Sequence, residues 1–580
     1  MGTPLDRTFV AAKRALRNAI GLFLTQAQYA RVSAYFFRLR QMLDPEERAY
    51  FRIKAFSEAD FNARKGEAKV LILGLRTFSA YDLSVFEKVL SDALKHNGAE
   101  VKILICDNVL DSCDVDVKGC ATQKSACYVC KKGREKYKKN YKNEYVSFAR
   151  FTSLEEIEST KTTVAGLNDD ELINFKYLGV NLNEYAVEST IKYFRKGNFD
   201  GKSPEHLKVL RHYTIQGIIS LNVAKRVIET ENPTHFVSLH GCYVSWGPFA
   251  EYCLNKGIHI VTYNYIPHKM GCCSFATGKY SPPGVRLDLT VETKRLWACF
   301  KEKELSEDQK KKIRDFLWLK KQGKTLDYKL YNMGKSSFRD RDKIRELLDS
   351  NKRKFVLCPN LLWDIGLEMQ GSGFFTDIYD WMYRTIEYFT KNKESFLLIK
   401  PHPGEASIGY TEEGVNEVIL QHFGTLPDNI LFIPKDYPVT SFDLSDKGCI
   451  LITYNGTVGL ECSYFKKPVL VGGNSHYVEA EAAFRVNSRE EYFDCIKDPK
   501  KLYDFPVNNS DLIEKYGYFY YFRLPFEIPF LRKDMWLGHW IDWDKLSNYE
   551  EFIKNDASMN HLAQAIIDKR SIVAFSGSDT

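Results

Sequence analysis

Apolar positions change their period along this chain. Up to about residue 66 they recur at near-helical spacing, as in Leu16, Ile20, Phe23, Leu24, Tyr29, Val32, Phe36, Leu39 and Leu43, with Arg and Gln between them. The stripe predicts a helical N-terminal extension over 1–66. Such a stripe ordinarily faces protein, either the body of the chain or a second subunit. Its basic flank also suits peripheral contact with an anionic membrane.

From Lys69 the pattern becomes short apolar runs alternating with helical stretches, the mark of parallel α/β units. Strands are predicted at Val70–Leu75, Val101–Cys106, His235–Leu239 and His259–Tyr265, with helices through Leu83–His96 and Leu221–Thr230. A second set follows at Phe355–Cys358, Phe396–Ile399, Ile430–Ile433, Cys449–Thr453 and Val469–Val471, with a helix near Tyr379–Asn392. Between the sets, 286–350 is charged and helical without a strand pattern. The expected division is therefore an extension over 1–66, a Rossmann-like domain over 67–285 and a helical connection over 286–350. A second Rossmann-like domain covers 351–515, and an aromatic-rich tail with a C-terminal helix, 516–580, packs across both. Two such domains in succession suit an enzyme whose site lies in the cleft between them.

Composition narrows the class. At 580 residues, 44% hydrophobic and 27% charged, the chain exceeds one hydrophobic core and has the make-up of an ordinary globular protein. The net charge is +7, and residues 1–54 hold ten Lys or Arg against four acids, so nearly all the excess sits at one end. A groove for nucleic acid would spread its basic residues differently, and no nucleic-acid partner is expected. No uncharged apolar run reaches the roughly 20 residues that span a bilayer. Arg7, Lys13, Arg14 and Arg17 interrupt any signal-peptide core, and fourteen Cys without an export signal point to reduced thiols in the cytoplasm.

Candidate chemistry concentrates at strand ends in the second set. Leu397-Leu398-Ile399-Lys400-Pro401-His402-Pro403 is an apolar strand that stops at a cation and an imidazole held between prolines. Proline fixes φ and ends the ladder, so Lys400 and His402 project at the carboxyl edge, where open α/β sheets bind ligands. There they can pair with a phosphate and hold or protonate a leaving group; an exposed Lys and a structurally satisfied His are the plain alternative. Cys449–Thr453 opens into Tyr454-Asn455-Gly456-Thr457-Val458-Gly459-Leu460-Glu461. Gly456 and Gly459 admit a ligand close to the backbone, and Thr457 starts a helix whose N–H groups suit a phosphate. Glu461 is placed to accept from ribose hydroxyls or to act as a capping carboxylate. Neither a Walker A loop nor the dinucleotide Gly-x-Gly-x-x-Gly fingerprint is present here. Asn360 and Asp364 flank an aromatic directly after Phe355–Cys358. Three polar strand ends on one edge predict a nucleotide-phosphate site.

The series Asn360, Trp363-Asp364, Trp381, Thr385, Lys400-Pro401-His402-Pro403, Glu405, Leu426-Pro427, Asn429, Tyr454, Gly456-Thr457, Gly459, Glu461, Pro468-Val469 and Gly472-Gly473 resembles bacterial capsule polysaccharide biosynthesis glycosyltransferases. The likeness covers about 350–480 well and the first domain loosely. It implies a GT-B fold of two Rossmann-like domains facing a cleft, with a nucleotide-sugar donor and a growing surface or capsular glycan, free or lipid-linked, as acceptor. The donor is CMP-, UDP-, GDP- or CDP-linked; CMP is favoured because some relatives use CMP-Kdo. His402, Pro403, Gly456, Thr457, Gly459 and Glu461 take the nucleotide-contacting roles by this resemblance, with Asn360, Asp364, Lys400, Tyr454 and Asn455 beside them. His402 and Glu461 join His240 as catalytic candidates. Lys400 stands where Arg is also expected, which preserves phosphate binding but leaves the donor open. A nucleotide-sugar epimerase of the same layout and a non-catalytic assembly protein are the alternatives.

The acceptor side is expected in the first domain. Strand His235–Leu239 ends at His240-Gly241-Cys242-Tyr243, and a His at a strand terminus beside Gly is a candidate general base. Its plain alternative is a loop His bonded to a backbone carbonyl. Arg76, Thr77, Tyr243 and His268 are placed on the same side. Cys106, Cys113, Cys120, Cys127 and Cys130 crowd one loop, and Cys106, Cys113, Cys127 and Cys130 suggest a structural zinc, although the spacing is not that of a finger; a redox pair or thiols that merely pack in the loop are the alternatives. Asp114-Val115-Asp116 lies among those thiols, and no catalytic metal is expected.

Overall fold

The run Lys69–Leu73 (β1) is buried at four of its five positions, as a strand covered on both faces must be. It is the centre of the first sheet in a computed structural model of the chain. The structure describes residues 61, 66–75, 81–110, 113, 118, 127, 130–131, 145–266, 271–278, 290–325, 341–363, 373–407, 414–433, 439–533 and 541–574. The predicted extension over 1–66 thus falls almost wholly outside the described residues, as do Arg76, Thr77, His268 and Asp364.

After β1 come β2 (Glu100–Ile105), β3 (Tyr145–Ser147), β4 (His235–Leu239), β5 (His259–Tyr265) and β6 (Cys272–Thr277). The second set is β7 (Arg353–Cys358), β8 (Ser395–Ile399), β9 (Ile430–Phe432), β10 (Cys449–Thr453) and β11 (Val469–Val471), and a short β12 (Phe526–Glu527) comes last. The first sheet runs β12-β6-β5-β4-β1-β2-β3 and the second β11-β10-β7-β8-β9. In each, five parallel strands take the order third, second, first, fourth, fifth, the order of a mononucleotide-binding Rossmann unit. The fold is therefore α/β with two Rossmann-like sheets. The first sheet differs from expectation at one edge: β6 pairs antiparallel with β5, and β12 antiparallel with β6. Only a short connection separates β5 from β6, too short for the crossover that a parallel neighbour needs.

The chain crosses between the sheets twice. Helices Thr290–Lys301 and Glu307–Lys321 lead from β6 towards β7, the latter capped by Ser306 and Gln309. After the second sheet, helix Ser510–Tyr518 and a π-helical turn at Phe519–Arg523 carry the chain back to β12. Trp297 on the outward crossing packs against Tyr516 and Phe519 on the return, with ring centroids 4.8 and 5.4 Å apart. The aromatic tail is thus core material.

Beyond β12 the chain covers helix Tyr81–His96, which is buried on every side from Leu83 to Leu94. Two of its buried charged residues, Lys88 and Asp92, are paired there. Lys88 Nζ lies 2.8 Å from Asp92 Oδ1, and Tyr549 Oη donates to Asp92 Oδ2 at 2.6 Å. Asp92 therefore ties the C-terminal helices to the first sheet. Replacing Asp92 by Ala should cost about 3 kcal/mol, because the Lys88 charge loses its close partner in a dry setting. Tyr549→Phe should cost about 1.5 kcal/mol. Urea unfolding of the two variants checks the order.

Candidate functional site at the carboxyl edge of the second sheet

Register decides which residues meet. Leu357 pairs with Ile399 and Cys358 with Thr453, so β7, β8 and β10 end together. The residues just past them, Asn360, Lys400 and Asn455, share one edge. The neighbours β7 and β10 form the topological switch point, where connections leave in opposite directions and a crevice opens. Two bonds stitch that crevice: Thr453 Oγ1 donates to the Cys358 carbonyl at 3.1 Å, and the Asn455 N–H to Asn360 Oδ1 at 3.4 Å.

Lys400 keeps the ladder with its backbone, donating to the Leu357 carbonyl at 2.8 Å. Among the described residues its ammonium makes no hydrogen bond or ion pair. Burial pulls its pKa below the ordinary lysine value, against the opposing pull of Cys358 and Asp443. His402 follows between buried Pro401 and partly exposed Pro403. The Gly404 N–H donates to His402 Nδ1 at 3.0 Å, which puts the imidazole proton on Nε2. Burial, with Lys400 adding to it, lowers the His402 pKa to about 4. At neutral pH the ring is therefore an uncharged N–H donor. In that state it can hold an anion through its N–H.

Helix Val458–Tyr464 starts at Thr457, which makes no side-chain cap. Gly456 touches the crevice: a Cβ there would stand 3.1 Å from Thr453 Oγ1 and 4.0 Å from Asn360 Nδ2. Gly459 serves packing instead, since a Cβ would come 2.2 Å from Tyr477 Oη, which itself donates to the Gly456 carbonyl at 2.8 Å. Tyr454 is fully buried with its ring 5.3 Å from Trp381, as part of the core. Trp381 donates to Tyr492 Oη at 2.9 Å, Thr385 meets the same hydroxyl at 2.9 Å, and a Cβ on Gly472 would lie 2.0 Å from Trp381 Nε1. Trp381, Thr385 and Gly472 form one buried joint beneath the edge. Asn429 Nδ2 binds the carbonyls of Phe389, Asn392 and Ser395, and Glu405 receives the Val415 N–H at 3.4 Å.

Glu461 also departs from expectation. It is 3% exposed, and its Oε1 receives Lys320 Nζ at 2.7 Å and Tyr521 Oη at 2.8 Å. The carboxylate is engaged with the two crossings of the chain. His476 was not anticipated, although it follows Gly472-Gly473-Asn474-Ser475 at the end of β11. It lies against Tyr520 with centroids 4.3 Å apart and meets Tyr516 Oη at 2.8 Å, and burial lowers its pKa to about 4.

In the first sheet, His240 directly follows β4, its N–H donating to the Tyr263 carbonyl at 2.9 Å. Its ring packs edge-on against Trp246 and Tyr243, at 4.6 and 5.6 Å. Tyr243 has φ of +57°, a rare conformation for a bulky residue, and Lys192 Nζ sits 4.1 Å from its ring centre. Helix Leu182–Phe194, which carries Lys192, ends at Arg195, whose guanidinium lies 5.3 Å over Trp363, just past β7. Gly197 packs so closely on Leu362 and Tyr379 that a Cβ would come within 2.6 Å of both. The ends of β4 and β7 thus reach the same helix terminus, and the two carboxyl edges approach each other there.

The cysteine loop does not assemble as expected. Cys106, Cys113, Cys127 and Cys130 are all described, yet among the described residues no group of three or more His, Cys, Asp or Glu is arranged to hold a metal ion. Cys106 Sγ accepts the Leu110 N–H at 3.4 Å, and burial pushes its pKa up to about 11. Among the described residues no helix is long and apolar enough to cross a membrane.

No curated protein matches the chain. Among solved structures it is similar to UDP-GlcNAc 2-epimerase from Neisseria meningitidis bound to UDP-GlcNAc, at 11% identity over 78% of this chain and 97% of that one, with a TM-score of 0.23. It is similar to a putative UDP-N-acetylglucosamine 2-epimerase from Listeria monocytogenes, at 12% identity over 78% and 91%, with a TM-score of 0.20. The spinosyn rhamnosyltransferase SpnG complexed with thymidine diphosphate is similar at 10% identity over 78% and 95%, also with a TM-score of 0.20. These scores are too low to decide fold or chemistry, which rest on the sheets and edges described above. Residues 285–480 match the family model described as capsule polysaccharide biosynthesis protein. The matched segment holds the Lys400–His402 edge.

Proposed function

We propose that this chain is a glycosyltransferase that moves a sugar from a nucleotide-sugar donor to a growing surface or capsular glycan. The observation that carries the reading is Lys400, a half-buried cation at the carboxyl end of β8, next to the Rossmann switch point, and lacking an ion-pair partner among the described residues. Such a group gains most from a bound phosphate, which supplies the opposite charge and hydrogen-bond acceptors together. His402 adds a neutral N–H donor beside it, and Asn360, Asn455 and the Gly456–Thr457 backbone complete a polar cradle.

In the proposed reaction the bond between the anomeric carbon and the donor phosphate oxygen breaks, and the bonding electrons leave with the phosphate. Lys400 and His402 stabilise that growing negative charge. The acceptor hydroxyl oxygen bonds to the anomeric carbon, and His240 takes its proton as general base. Tyr243, Lys192 and Arg195 line the side where the acceptor enters. Approach of the two edges excludes water and limits donor hydrolysis. We assign the activity to the cytoplasm, with residues 1–66 as the contact to a membrane face or a second subunit. The donor is CMP-, UDP-, GDP- or CDP-linked, and the first of these follows the family resemblance.

Thermal shift with CMP, CDP, UDP and GDP tests the donor site, since a ligand that binds only the folded state raises Tm. At least one nucleotide should raise Tm of the wild type, and Lys400→Met and His402→Ala should each remove most of that rise. Absence of any shift, or an unchanged shift in both variants, contradicts the assignment. Incubation with the nucleotide-sugar alone should leave its sugar configuration intact; an epimerised product would favour an epimerase.

A pH dependence follows from the buried imidazoles. His235, His402 and His476 are each lowered from 6.5 to about 4, so between those values the unfolded chain binds more protons than the folded one. Stability therefore rises with pH through this window, and is lost as pH falls from 6.5 towards 4. Tm should drop by at least a few degrees (~2–4 °C per kcal/mol for large domains) between pH 7 and 5, and less in His402→Gln.

A further inference from the structure

Glu461 stands one helical turn from the crevice, its N–H bonded to the Thr457 carbonyl at 3.1 Å. Lys320 is in the last turn of helix Glu307–Lys321, on the outward crossing, and is 9% exposed. Tyr521 lies on the return crossing, in the π-helical turn Phe519–Arg523 that precedes β12. Both segments reach the same carboxylate oxygen, at 2.7 and 2.8 Å. Around it, Lys320 Nζ sits 5.4 Å from the Tyr521 ring centre, and Phe316 packs on the same ring at 4.8 Å. A π-helical turn is uncommon and recurs at functional sites.

A buried ion pair adds little to stability compared with apolar residues of the same volume, but it fixes geometry strongly because a displaced charge is costly. A plain fold-stabilising contact would need only one of these partners. Here one carboxylate is held by the outgoing and the returning chain at once, directly behind the loop that closes the crevice.

We propose that Lys320 and Tyr521 are positioning residues for the nucleotide loop 454–461, and that through Glu461 they couple occupancy of the crevice to both chain crossings. The proposal rests on the nucleotide-binding reading of that crevice. A phosphate that settles on Gly456–Thr457 fixes the first turn of helix Val458–Tyr464, which fixes Glu461. Glu461 then holds the two segments that cross between the sheets. Lys320 and Tyr521 touch neither donor nor acceptor; they set the loop's shape and transmit its order.

The experiment compares wild type, Tyr521→Phe and the charge-neutral pair Lys320→Met/Glu461→Gln. Each is titrated calorimetrically with whichever of CMP, CDP, UDP and GDP gives the largest thermal shift. Tyr521→Phe keeps the ring packing and removes one O–H. Its nucleotide Kd should rise about fivefold or more, the equivalent of roughly 1 kcal/mol, while its Tm without nucleotide falls only by the few degrees that loss of one buried hydrogen bond costs. The paired variant keeps the site free of an unbalanced buried charge and should show the same weakening. Hydrogen exchange supplies a readout that a merely structural role would not move: nucleotide should slow exchange across 519–523 in the wild type and not in Tyr521→Phe. Wild-type binding with Kd within twofold in both variants, or nucleotide protection of 519–523 unchanged by Tyr521→Phe, overturns this proposal alone. A wild type that binds none of the four nucleotides overturns the functional reading as well.

Discussion

In the second sheet, Leu357 faces Ile399 and Cys358 faces Thr453, and this register brings three chemically distinct strand ends to one line. A parallel ladder leaves the backbone groups past its last pair without strand partners, so polar side chains or a ligand must take them up. Asn360 and Thr453 do so on the protein's side, bonding across the switch point between β7 and β10. Lys400 shares the same edge and stays without an ion pair among the described residues. A one-residue slip of β8 would turn Lys400 to the opposite face and leave the crevice without its cation.

Much of the motif pattern in this domain supports the edge from below. Trp381, Thr385, Tyr492 and Gly472 form a hydrogen-bonded joint that no added methyl group at Gly472 could enter without displacing the indole. Tyr477 does the same for the helix after the loop, bonding the Gly456 carbonyl and excluding a side chain at Gly459. Dense packing of this kind holds polar groups within the small tolerance that phosphate recognition requires. The glycines of the loop thus divide between two duties. Gly456 borders the crevice, and Gly459 accommodates a tyrosine.

Strand identity was legible because buried parallel strands read as short apolar runs, and His235–Leu239, His259–Tyr265, Cys449–Thr453 and Val469–Val471 fall where that pattern puts them. The positions of Lys400, His402, Asn360 and Asn455 at a sheet edge were legible for the same reason, since each follows such a run directly. Side-chain direction was not. Tyr454 is as close to its strand as Asn455, yet it turns into the core. Glu461 looked free because its partners, Lys320 and Tyr521, lie far away in sequence, in segments whose patterns are those of a solvated helix and a packing tail. The protonation of His402 was hidden as well, because it depends on the Gly404 N–H and on burial that only the folded chain supplies. The antiparallel β6 and β12 escaped notice since Cys272–Thr277 is a short run of mostly small residues broken by Ser274, and β12 is two residues long.

The central claim is that Lys400 and His402 receive the phosphate of a nucleotide at the switch point of the second sheet. A crystal structure with bound nucleotide tests it most directly. The account predicts a phosphate oxygen within hydrogen-bond distance, about 3.2 Å or less, of Lys400 Nζ and of His402 Nε2, with the sugar end directed towards His240. A nucleotide bound elsewhere, or bound at this edge with its phosphates turned away from both side chains, would contradict it.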